Sequence, residues 1–70
     1  PMPANLRAAF NKEMQQARTL YAEQRYPQCF HHLERAHILG QRHYVPHVNN
    51  HYWMLFCLYL LRINDANVVV

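Results

Sequence analysis

The chain has 70 residues, a net charge of +3 with its histidines neutral, a hydrophobic fraction of 51% and a single glycine. That length allows one domain with a small core, and so apolar a composition excludes a disordered polar chain. The seven Lys and Arg are scattered with no glycine-rich loop or stacking motif beside them, so they read as solvated helix faces, not as a nucleic-acid surface.

Few turn residues and many Ala, Leu, Arg and Gln predict an all-α fold of three helices. Leu6, Phe10, Met14, Ala17 and Tyr21 recur at helical spacing, which predicts a first helix over about 5–24 with Asn5 as its N-cap. Tyr26-Pro27 forces a turn, and Pro27 suits the first turn of a second helix. That helix is predicted over 27–40, with Cys29, Phe30, Leu33 and Ala36 inward and Gly40 as its C-terminal cap. These two helices are predicted to form an antiparallel hairpin like a single tetratricopeptide repeat, without the further repeats a solenoid needs.

Residues 41–45 read as a connector, and Pro46 opens a third helix predicted over 46–62, leaving 63–70 as a frayed tail. Val48, Tyr52, Leu55 and Tyr59 form the clearest apolar stripe of that helix. From Tyr52 to Leu61 it is apolar all round, which calls for burial on more than one side. Ten apolar residues are too few to span a membrane, which takes about 20. The predicted use of Tyr52, Phe56, Tyr59 and Leu60 is therefore an interface, in a homo-oligomer or with a partner protein. Cys29 and Cys57 have the wrong spacing for a Cys-x-x-Cys site and read as buried free thiols. With no secretory pattern at the start of the chain, they point to the cytoplasm.

All six histidines fall between positions 31 and 51. Glu34 and His37, three apart, share a face of the second helix; His47 and His51, four apart, share a face of the third. Imidazoles and a carboxylate facing one another across a helix pair suit a divalent transition metal such as zinc, copper, nickel or iron. The candidate ligands are His37, His47, His51 and Glu34. Each has a competing structural reading: His37 follows Leu33 by four and leans toward the core, and Glu34 has Arg35 and Arg42 to pair with. His32 lies roughly 140° round the helix from His37 and is an accessory candidate, meeting Cys29 or orienting a ligand from behind. His31 and His43 are predicted to face solvent, and Met54 to be core. No Ser/His/Asp arrangement, Cys/His dyad or paired acids can be read, so no catalytic residue is assigned.

The block His32-Leu-Glu-Arg-Ala-His-Ile-Leu-Gly-Gln41, followed by His47-x-x-x-His51-x-Trp53-Met54-Leu55, resembles a family of small bacterial proteins, domain-of-unknown-function family 3703. The resemblance runs from about Phe10 to Leu55. Its members are met beside heavy-metal resistance and transport genes, which implies a metal-linked role by association. Where such proteins continue with a basic, polar helix, this chain has the apolar run Phe56 to Leu61 and ends at Val70, the pattern of a shortened or divergent member. Two functions from different classes are therefore expected. One is a histidine-based metal-binding protein for metal handling or sensing. The other is a helical interaction module whose histidines are structural or titrate with pH.

Overall fold

The computed structural model describes residues 1–65. Helix α1 (Ala4–Ala22) buries Phe10, Met14, Ala17 and Leu20, whose spacings of three and four keep them on one face. Its N-cap is Pro3, and Asn5 lies inside the first turn, with its Oδ1 accepting the Leu6 N–H at 2.9 Å. The predicted cap is thus displaced by two residues. At the other end Gln24 adopts the left-handed conformation at φ 61°. The Gln24 N–H donates to Tyr21 O at 3.0 Å and the Arg25 N–H to Leu20 O at 2.9 Å, which closes the helix as a Schellman motif.

Helix α2 (Tyr26–Gly40) carries Pro27 in its first turn, where a missing N–H leaves no bond unmade, and buries Cys29, Leu33, Ala36 and Gly40. The helix ends at Gly40 as predicted, but the cap position is taken by Gln41, which is right-handed. The glycine is there for close approach: a Cβ on Gly40 would lie 2.7 Å from Cε1 of Phe10. Helix α3 (Tyr44–Asn64) starts two residues before Pro46 and continues two residues past the predicted end. Residues 66–70 of the predicted tail lie outside the described residues.

The helices run up, down and up. Phe10 meets Gly40, Glu13 meets His32 and Arg35, and Tyr21 stacks edge-on with Tyr26, so α1 and α2 form an antiparallel hairpin. Asn50 meets Leu33 and Cys57 meets Tyr26, so α2 and α3 are antiparallel as well. Trp53 closes the third side against Tyr21, with ring centroids 5.1 Å apart. Cys29 and Cys57 are fully buried free thiols, as expected. Burial, with Cys57 beside it, pushes the Cys29 thiol up to about 12, and burial also raises that of Cys57.

The orientation of α3 decides which of its apolar faces is inward. Its inward residues are Asn50, Trp53, Met54, Cys57 and Leu61, while the stripe Val48, Tyr52, Leu55 and Tyr59 is exposed. Two helices offer α3 one groove, and a single strip of side chains fills it. The second apolar face is left outward. Among the described residues no helix is long and apolar enough to cross a membrane.

Candidate metal centre

On α2, Cys29, Leu33 and His37 are each four apart and line the side that faces α3. On α3, His47 and His51 are four apart and flank Asn50. Packing the two helices antiparallel brings His37 level with the pair. The three Nε2 atoms form a nearly equilateral triangle: His37 to His47 is 3.1 Å, His37 to His51 is 3.1 Å and His47 to His51 is 2.9 Å. His37 and His47 are half-buried and His51 is exposed, so the triangle opens at the rim of the helix pair.

Hydrogen bonding alone cannot satisfy this triangle. A neutral imidazole offers at Nε2 either one N–H or one lone pair. Three such atoms share only two roles, so at least one edge sets donor against donor or acceptor against acceptor. A cation removes the conflict by taking all three lone pairs at once. Bonds of about 2.0–2.1 Å at tetrahedral angles need nitrogens about 3.3–3.4 Å apart, a few tenths of an ångström wider than the separations here. Burial, reinforced by His47 and His51, holds His37 below the ordinary histidine value of 6.5 and so keeps it neutral, the form that ligates.

One buried polar residue fixes the helix register. Asn50 is fully buried, and its Nδ2 donates to Leu33 O at 2.9 Å and approaches Met14 Sδ at 3.6 Å. Leu33 lies one turn before His37, so this bond pins α3 to α2 beside the triangle. The residue has a sequence signal: Asn50, Met54, Cys57 and Leu61 follow the four-three-four spacing of the inward strip.

Of the five sequence-derived candidates, His37, His47 and His51 come together and two do not. Glu34 is exposed and outside the triangle, about 100° round α2 from Leu33. His32 faces α1, not the metal candidates: its Nδ1 lies 2.8 Å from Glu13 Oε1, and Arg35 Nε donates to Glu13 Oε2 at 3.0 Å. Arg35 is therefore taken by Glu13, not by Glu34. His31 is exposed, and His43 is half-buried at the N-cap of α3.

A family profile described as a protein of unknown function (DUF3703) matches residues 4–67, which takes in all three helices. The chain belongs to this family. No curated protein and no solved structure matches it. The DUF3703 description assigns no activity, so the function of this member has to be argued from its side chains. All three triangle histidines lie within the matched region.

Proposed function

We propose that this protein binds a divalent transition metal through the Nε2 atoms of His37, His47 and His51, and that it serves to hold, sense or hand on that metal. The observation that carries the reading is the triangle of Nε2 atoms, 2.9–3.1 Å on each edge, which no assignment of protons can fully pair. Three imidazoles leave one position of a tetrahedral ion open to solvent or to an incoming ligand. An exposed His51 at the rim gives the ion a way in and out without opening the core. Imidazole-only donor sets suit zinc, copper, nickel and iron, and the ion's identity is set by supply as much as by ligand type.

The test uses protein without a histidine tag. Elemental mass spectrometry measures bound metal, and the apo form is then titrated with zinc, copper, nickel and cobalt. Near-stoichiometric binding is expected, lost in His37→Ala, His47→Ala and His51→Ala while helix content by circular dichroism is kept. Variants that bind like wild type would mean that the triangle is not the site.

A further inference from the structure

The outward face of α3 follows a second apolar register. Val45, Val48, Tyr52, Leu55 and Tyr59 are spaced three, four, three and four apart, which is the spacing of a helix–helix seam. All five are exposed; Tyr52, Leu55 and Tyr59 retain 58%, 61% and 64% of their accessible surface. No Lys, Arg, Asp or Glu occurs between Arg42 and Arg62. A continuous apolar face of this length is unusual on a monomer.

We infer that this face pairs with the same face of a second copy, in an antiparallel two-helix seam. Three properties select that occupant. The first is charge. Because the seam from Val45 to Tyr59 carries none, an identical surface meets no like-charge repulsion, and antiparallel packing sets the two Arg62 side chains at opposite ends while opposing the helix dipoles. The second is shape. With the two-fold axis between Tyr52 and Leu55, large meets small in the central layers: Val48 faces Tyr59 of the other copy, Tyr52 faces Leu55, and Val45 at each end falls beside Arg62.

The third property is area. Aromatic side chains bury about 150–250 Å² each, so Tyr44, Tyr52, Phe56 and Tyr59 at half exposure or more supply roughly 500 Å². Val45, Val48, Leu55 and Ile63 bring the total close to the ~800 Å² per partner of a stable interface. A groove of about 450 Å³ lined by Tyr44, His47, Val48, His51, Tyr52 and Leu55 already runs along the face. The inference rests on the apolar residues of this face; because His47 and His51 border the groove, it is tested on metal-free protein.

The experiment is sedimentation equilibrium of the metal-free full chain, with circular dichroism as the folding control. Wild type is expected to sediment as a dimer. Leu55→Glu and Leu55→Lys should each raise the dimer Kd by roughly a hundredfold or more, since each buries an unpaired charge in the seam. Mixing the two variants should restore dimers, because the two position-55 side chains lie diagonally across the axis, less than one helical turn apart, where opposite charges attract. Tyr59→Arg, at a second exposed position, guards against a Leu55 variant that fails to fold. A wild-type monomer at every attainable concentration, or dimers that survive Leu55→Glu, would overturn the inference. A monomer that instead binds vesicles of mixed anionic and neutral lipid would also overturn it and assign the face to a membrane surface.

Discussion

Asn50 reaches across from α3 to the carbonyl of Leu33 at 2.9 Å, one turn from His37 and between His47 and His51 in sequence. Its Oδ1 is buried with no partner in the structure, so the residue is a poor source of stability. What the bond does is fix which turn of α3 lies beside which turn of α2. A buried polar group in such a place sets register at some cost in free energy. Asn50→Leu removes the orphaned oxygen, so the melting transition should hold within about 1 kcal/mol of wild type or rise. Metal affinity should nonetheless fall about tenfold or more, because the three imidazoles lose their shared alignment. Calorimetric melting and metal titration of the same sample separate the two effects. Unchanged affinity in a well-folded Asn50→Leu protein would remove Asn50 from the support of the site.

Glu13 ties α1 to α2 through two bonds, from Arg35 and with His32, and its side chain is only 13% exposed. Burial pushes its carboxyl up, but the hydrogen bonds and charges of His32 and Arg35 outweigh that and hold it below the ordinary 4.5. Because the folded value lies below the unfolded one, the stabilisation is fully present above pH 4.5 and is lost as pH falls through the folded value. Glu13→Gln should cost about 1–2 kcal/mol at neutral pH. The gap between variant and wild type should close as the pH drops below 4.5. Urea unfolding at several pH values measures it, and a gap that stays constant with pH would show that ionised Glu13 contributes nothing.

The helix order and the histidine trio were legible because both depend on local periodicity. His47 and His51 are forced together by a spacing of four, and His37 follows Leu33 by the same interval. Glu34 and His32 were harder, because their roles depend on which side of α2 each neighbouring helix covers. A helix that packs on two sides has two inward directions, and spacing within it does not say which partner lies on which. The same ambiguity leaves the inward face of α3 open in the sequence, because its Val48–Tyr59 stripe and Asn50–Leu61 strip are both regular and mostly apolar. In the sequence Gly40 carries only the signal of a helix end, whereas its use here depends on Phe10, 30 positions earlier in the sequence.

Gly40→Ala tests that contact. The added methyl would sit 2.7 Å and 2.9 Å from two ring carbons of Phe10, which is only 5% exposed and has no free direction to move. Overpacking of this kind costs about 1–3 kcal/mol. Alanine's higher helix propensity offsets roughly 1 kcal/mol of it, so a net loss of about 1 kcal/mol is expected. In a Phe10→Leu background the same substitution should become neutral or stabilising. A double-mutant cycle by urea unfolding gives the coupling directly, and additive effects would mean the contact is looser than the distances indicate.

The two cysteines should be silent in the folded protein. Both are fully buried, Cys57 donates its S–H to Tyr26 O at 3.3 Å, and the Cys29 thiol is pushed up to about 12. Thiolate is the species that attacks an alkylating reagent, and its fraction falls tenfold for each unit by which the pKa exceeds the pH. With that fraction small and access closed, iodoacetamide can react only through molecules that open. Labelling of native protein should therefore be slower than in urea by orders of magnitude, and Cys29 and Cys57 should label together, because separating α2 from α3 exposes both. Destabilising variants such as Gly40→Ala should speed labelling in proportion to the lost stability when opening is fast relative to alkylation. Time-resolved mass spectrometry reads both sites. Rapid modification of one cysteine alone in stable, folded protein would show that the α2–α3 contact opens locally, and that the seam holding His37 beside His47 and His51 is weaker than its packing implies.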